Sequence, residues 1–318
     1  MKKLYNIEEK DIAAFYQMKG DLKYRMNNDL LFHIVMQESE KALKSLISAC
    51  LHMPMEEIYS VEVMNVIVPG TRVSEKTVIL DILLTLNYEK TINLEMQVLN
   101  DNNWTDRSLV YLSRIFGKMN RGDEYSDVRP TTHIGFLNFQ LFRDEPAFFA
   151  EFKLSNVKTH KVYSDKFVLD VVSLNCIDLA TPEDIESGLV DWARFFTAST
   201  WEELQMLAEN NPAIEDAASA AMKGMSDDEL SLELFLREEA CRRYRTQQAY
   251  NEKMERRAAE ALLSEAEAKQ RAAEALQAEA EAKRAEAEAK LQAVEAEQKV
   301  ADLENENARL RELLAKYE

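Results

Sequence analysis

Asp81 interrupts an otherwise apolar stretch, Thr77–Leu86 (TVILDILLTL), that reads as a central strand buried on both faces. A carboxylate in that setting is costly unless it is paired or binds a metal ion. Fourteen residues later, Glu95 and Gln97 lie on a second strand, Thr91–Leu99 (TINLEMQVL). Its alternation puts Ile92, Leu94, Met96 and Val98 on one face and Asn93, Glu95 and Gln97 on the other. The short connection Asn87–Lys90 implies an antiparallel hairpin, in which facing residues project to the same side. With Asp81 opposite Glu95 or Gln97, two carboxylates and an amide carbonyl converge on an oxygen-lined pocket suited to a hard cation such as Mg²⁺. Spacing alone leaves a plainer reading open, in which Asp81 bonds to backbone or to an arginine and Glu-x-Gln is a solvated strand face.

The elements that must position these groups follow from periodicity. Apolar residues from Leu30 to Leu51 recur at helical spacing, so 29–53 reads as one amphipathic helix capped near Asn27–Asn28 and stopped by Pro54. Ile58–Val68, closed by Pro69–Gly70, reads as a strand. After the two site strands comes a helix from Trp104 to Arg121, ended by Gly122. The run Thr132–Phe142 is a further strand, with Phe148–Leu154 and Lys166–Leu174 as more. From Thr181 onward the pattern is helical over 182–209, 212–223 and 226–248. Helix, three strands, helix, strand is an α+β arrangement around a small mixed sheet. The expected division is a domain over 1–180, a helical extension over 181–248 and a long Ala/Glu-rich helix over 249–318.

That last segment differs in kind. The final glycine is Gly224 and the final proline Pro212, so nothing after them breaks a helix strongly. Glu260–Ala272 recurs two heptads later as Glu274–Glu286. Val300, Leu303, Asn307, Leu310, Leu314 and Tyr317 alternate steps of three and four, which places Asn307 at an a position that favours a parallel dimer in register. A short coiled coil over 296–318 and a homodimer through the C-terminal helix are expected. For 250–295 a solvated single helix held by i,i+4 pairs remains open.

Charge limits the partners. The chain of 318 residues carries 57 acidic and 39 basic side chains, net −18. Residues 249–318 hold 17 acids and 12 bases, so −13 of that charge falls on the first 248 residues. A part this acidic is no generic nucleic-acid binder, and contact with phosphate would require a local basic patch or metal ions. One stripe qualifies: Arg107, Tyr111, Arg114 and Lys118 stand at i, i+4, i+7 and i+11 of the Trp104–Arg121 helix. An ordinary solvated face would look the same. Cys50, Cys176 and Cys241 are too scattered for a disulfide framework or a zinc ribbon, and His33, His52, His133 and His160 show no ligand spacing. The N-terminal residues lack a signal-peptide core and no apolar run spans a bilayer, so a reduced, cytoplasmic protein without membrane contact is expected.

The phrases around the two carboxylates resemble those of the Rpn-type recombination-promoting nuclease / putative transposase family, a branch of the PD-(D/E)XK nuclease superfamily. They are Leu80-Asp81-Ile82, Asn93-Leu94-Glu95-Met96-Gln97, the run Asp106–Arg114 (DRSLVYLSR), and Gly122-Asp123-Glu124-Tyr125 leading through Pro130 into Ile134–Phe142. The resemblance covers roughly residues 20–180. It implies a PD-(D/E)XK-like mixed sheet flanked by helices, with Asp81 as the motif aspartate and Glu95 as the carboxylate of the (D/E)XK element. Gln97 stands where the superfamily has lysine, which the branch commonly replaces by glutamine. Asp29 matches an acidic residue found on the first helix. The implied activity is a Mg²⁺-dependent DNA endonuclease (Mn²⁺ as a substitute) associated with recombination or transposition. Asp81 and Glu95 would hold the metal, Gln97 would orient water or a phosphate oxygen, and Arg107 would contact phosphate. The competing expectation is a nuclease-derived scaffold without activity that oligomerises or binds partners through its helical arm.

Overall fold

The computed structural model describes residues 7–64, 67–68, 78–79, 81–119 and 121–314. Leu80, the Pro69–Gly70 turn, Thr77 and Tyr317 fall outside these residues. Two compact units are present, Met1–Arg245 and Thr246–Glu318.

The first unit begins with helices α1 (Glu9–Phe15), α2 (Asp29–Glu38) and α3 (Glu40–Cys50). The single helix expected over 29–53 is therefore two. Ser39 takes an extended conformation and its hydroxyl caps α3 by accepting from the Ala42 N–H, while Asn28 caps α2 through the N–H groups of Leu30 and Leu31. The strands are β1 (Val61–Val63), β2 (Ile67–Val68), β3 (Val78–Ile79), β4 (Ile82–Leu86), β5 (Lys90–Gln97), β6 (Thr131–Leu137), β7 (Phe149–Ser155) and β8 (Val162–Ser173). Helix α4 (Trp104–Phe116) connects β5 to β6. Helices α5 (Pro182–Glu186), α6 (Leu189–Thr197), α7 (Trp201–Ala208) and α8 (Pro212–Ser226) follow, and α9 (Asp228–Leu314) runs on into the second unit.

Six strands form one mixed sheet in the order β1-β4-β5-β6-β8-β7, and β2 and β3 pair separately. The β5–β6 and β6–β8 pairs are parallel and the remaining pairs antiparallel. The apolar stretch 77–86 is thus not one strand but two: β3 pairs with β2, and Asp81 lies at the bend before β4. Likewise the single strand expected over 58–68 divides between the two sheets.

One face of the sheet carries Ile82, Leu84, Ile92, Leu94, Ile134, Phe136 and Val172 into the main core, where they pack with α2, α3, α6 and α8. The opposite face lies beneath α4, whose Trp104 packs on Leu137 and Val171. The polar side of β5 is consequently not solvated: Asn93 is fully buried and Glu95 is 4% exposed. Close approach of α4 depends on Gly135. A Cβ there would stand 2.1 Å from Trp104 Cζ2. Overpacking of this kind typically costs about 1–3 kcal/mol. Gly135→Ala is expected to destabilise the protein by at least that much, read as a fall in the urea midpoint; an unchanged midpoint would mean that α4 can lift without loss.

In the second unit every side chain from Thr246 to Arg311 except the half-buried Gln248 is exposed. Ion pairs at i,i+4 line it, among them Glu265–Lys269 at 2.6 Å, Glu279–Lys283 at 2.6 Å and Glu286–Lys290 at 2.7 Å. Exposed pairs of this type contribute only about 0.3–0.5 kcal/mol each.

Candidate active site

The β4–β5 hairpin is antiparallel with Ile82 opposite Leu94, which sets Asp81 opposite Glu95. Each carboxylate is tied to the backbone of the facing strand. Glu95 Oε1 accepts from the Asp81 N–H at 3.1 Å, and Asp81 Oδ2 accepts from the Met96 N–H at 2.8 Å. Asn93 Nδ2 also donates to Glu95 Oε1, at 3.3 Å. Among the described residues no hydrogen bond reaches the second oxygen of either carboxylate.

Burial pushes the Asp81 carboxyl up to about 6, with the negative charge of Asp29 adding to the rise. Glu95 is pushed up to about 8, first by burial and then by the charge of Asp81. Asp81 is half-buried and Glu95 buried; the charge of Asp81 raises Glu95, while the charge of Arg107 lowers both. Their remaining donors are hard oxygens, so Asp81 and Glu95 fit a divalent cation such as Mg²⁺ by chemistry and by electrostatics.

The surrounding groups fix this pair. The His33 ring lies with Nδ1 2.8 Å from the Asp81 carbonyl oxygen and donates to it as the Nδ1–H tautomer. His133 is wholly buried with Nδ1 2.8 Å from Asn93 Nδ2, and burial holds it down to about 3, so its imidazole is neutral. Burial lowers His33 as well, though its bond to the Asp81 carbonyl works against the shift.

Gln97 is engaged at both ends of its amide. Its Nε2 donates to the Leu99 carbonyl at 2.6 Å, and its Oε1 accepts from Arg107 Nη2. The Arg107 guanidinium lies 5.4 Å from the Trp104 ring and 5.7 Å from the Tyr111 ring. Arg107 and Tyr111 therefore meet the site. Arg114 is half-buried on the next turn of α4. Lys118 is not on that helix, which ends at Phe116 with Gly117 as its cap instead of running to Arg121. It lines a separate cavity of about 590 Å³ with Asp123, Asp127 and Arg129.

Asp29 opens α2 and forms an ion pair with Arg237 of α9, which also reaches Glu233 at 3.2 Å. The charge of Arg237 acts on Asp81 as well. Asp29, Gln97, Arg237 and Arg245 share a cavity of about 260 Å³. Sequence reasoning missed Arg237, because nothing in a helical run marks which of its cations folds back onto a residue 208 positions earlier. Trp104, His133 and Asn93 were missed as neighbours of the site for a related reason: their importance lies in the packing of α4 on the sheet. The one available signal was Asn93, on the same strand face as Glu95.

The model of the PD-(D/E)XK nuclease family transposases matches residues 26–254. That span is longer than the 20–180 phrases and takes in α5 to α8 and the first turns of α9, including Arg237. No curated protein and no solved structure matches the chain.

Proposed function

Because the chain belongs to the PD-(D/E)XK nuclease family of transposases, we propose that it is a Mg²⁺-dependent DNA endonuclease acting in recombination or transposition. One observation carries this reading: half-buried Asp81 and buried Glu95 face each other in register, each braced by a backbone N–H.

In this reading Asp81 and Glu95 hold the metal. When bound, the ion supplies a Lewis acid for the phosphoryl oxygen and lowers the pKa of its water. The chain supplies the rest. Gln97 works through Arg107, since its carbonyl oxygen accepts from that guanidinium and holds it beside the carboxylates. Trp104 and Tyr111 hold the guanidinium on its other sides. A fixed guanidinium there binds phosphate oxygens and stabilises the negative charge that develops on them. Tyr111 and Arg114 on α4 follow the DNA backbone away from the scissile bond, with Lys118 beyond the end of the helix.

Supercoiled plasmid tests the proposal. Nicking is expected with Mg²⁺ or Mn²⁺ and is expected to stop with EDTA. Binding without cleavage under all three conditions would favour a scaffold derived from a nuclease.

The Val300, Leu303, Asn307, Leu310 seam points to a homodimer through the C-terminal helix. Val300, Leu303 and Leu310 are each more than half exposed in the single chain. Light scattering is expected to give twice the 36.6 kDa chain mass. Asn307→Asp at both a positions of the pair should weaken the assembly by like-charge repulsion; a monomeric parent would leave the helix to another partner. Among the described residues no helix is long and apolar enough to cross a membrane.

A further inference from the structure

On the core-side face of the sheet, away from Asp81 and Glu95, a polar row crosses four strands. Pairing of Ile92 with Thr132, Ile134 with Asp170 and Glu151 with Asp170 places Thr132, Asp170 and Glu151 on neighbouring strands. Lys90 begins β5 two residues before Ile92 and so points to the same face. Above Asp170 lies a cavity of about 720 Å³, within the size range of small-molecule sites.

Asp170 is 2% exposed, and its Oδ1 has no hydrogen-bond partner. Thr132 Oγ1, in the same row, has none either. A buried carboxylate oxygen left unpaired costs roughly 1–3 kcal/mol or more, so something outside the fold is expected to satisfy it. The charges of Lys90 and Lys153 act on Asp170, but among the described residues no ion pair joins either to it, and Lys153 is engaged with Glu151 at 2.7 Å. The lining is acidic overall, with Glu89, Glu151, Asp170, Glu183 and Asp184 against Lys90 and His52. His52 is already committed to Asp184 at 3.2 Å. Leu51, Met53 and Phe149 supply an apolar stretch of wall, and Glu89 and Glu183 are exposed.

An unpaired buried carboxylate, an apolar wall and exposed carboxylates are what an alkyl chain with an ammonium group at each end requires. We propose that this cavity binds a linear aliphatic diamine or polyamine, with Asp170 as the anchor for one ammonium group. The methylene stem lies along Met53 and Phe149, and the second ammonium group meets Glu183 or Glu89. The site is independent of the nuclease reading, since it occupies the opposite face of the sheet.

Calorimetric titration of the full chain with putrescine at roughly 0.15 M salt, where diffuse surface attraction is largely screened, tests this. One saturable site is expected. Asp170→Asn keeps the shape and removes the charge, and should weaken binding by about tenfold or more, the usual scale for losing a charged hydrogen bond. Should Asp170→Asn fold poorly, Glu151→Gln at the exposed end of the row, which also releases Lys153, is expected to weaken binding too, without a buried change. Asp191→Asn, an exposed carboxylate elsewhere, is expected to leave affinity unchanged. Equal weakening by all three variants, or no saturable binding, overturns the proposal. So does tighter binding of glutarate than of putrescine, which would make Lys90 the anchor of a dicarboxylate site.

Discussion

Glu95→Gln is expected to abolish cleavage and, in metal-free buffer at alkaline pH, to raise the melting temperature. The two effects have one cause. Glu95 is buried beside Asp81 and its carboxyl is pushed up to about 8. In the unfolded chain the same group ionises in the usual carboxylate range. Between that range and about pH 8 the unfolded chain has released a proton that the folded one keeps. Stability therefore falls as pH rises through this window and levels off above it. Asp81, pushed up to about 6, contributes with the same sign over the lower part of the window. A glutamine has no proton to lose, so the variant escapes the part of the loss due to Glu95. A gain of about 1 kcal/mol would appear as roughly 2–4 °C in a domain of this size. Cleavage should fall by about 10³ or more, beyond the usual 10²–10³ for one oriented donor, because a carboxylate proposed to hold the metal is lost.

Mg²⁺ discriminates further. It should raise the melting temperature of the parent, most at alkaline pH where both carboxylates are charged, and should do little for the variant. Melts from pH 5 to 9 with and without Mg²⁺, set beside plasmid nicking, check every part. A parent whose stability climbs with pH over that range would contradict the electrostatics. A variant that nicks at the parental rate would remove Glu95 from the chemistry.

The register of this hairpin was legible because two independent signals coincide. Alternation in 91–99 fixes which residues share a face, and the short Asn87–Lys90 connection fixes how far the partner is shifted. The order of helices and strands was legible for similar reasons, as was the long helix after Gly224. What periodicity cannot report is how an element ends or what covers it. Ser39 leaves the helical pattern of 29–53 intact while its hydroxyl starts a new helix. Asp81 sits in an apolar run that scans as one strand, yet the chain bends there and the two halves pair with different partners. The polar side of β5 scans as solvated, and only the packing of Trp104 against Gly135 shows why it is covered. Arg237 reaches Asp29 through tertiary structure alone, and the family match through residue 254 includes that contact.

Arg107→Ala is expected to lower cleavage by about 10²–10³ with the fold intact, and Arg107→Lys to restore only part of it. The superfamily lysine is absent at position 97, and Gln97 brings an amide without charge. Its carbonyl oxygen accepts from Arg107 Nη2, so the residue that replaced the lysine holds a cation in its neighbourhood. Cation–π contact with Trp104 and Tyr111 narrows the guanidinium's freedom, which is what preorganised stabilisation of a developing phosphate charge requires. An ammonium at this position keeps the charge but loses the bidentate geometry and the flat stacking surface. Arg107 could instead serve packing alone. Its Nε is buried without a partner, and contacts with two aromatic rings are worth about 0.5–2 kcal/mol each. The two roles separate by measurement. Under the catalytic role, turnover per folded molecule collapses while the urea midpoint moves little, and lysine rescues stability better than rate. Under the packing role, the midpoint falls, turnover per folded molecule stays near parental, and Gln97→Ala behaves as a mild stability variant instead of sharing the loss in rate. Because Gln97 touches the phosphate only through Arg107 in the proposed site, Gln97→Ala should add little to Arg107→Ala, a non-additivity that packing alone would not produce in the rate.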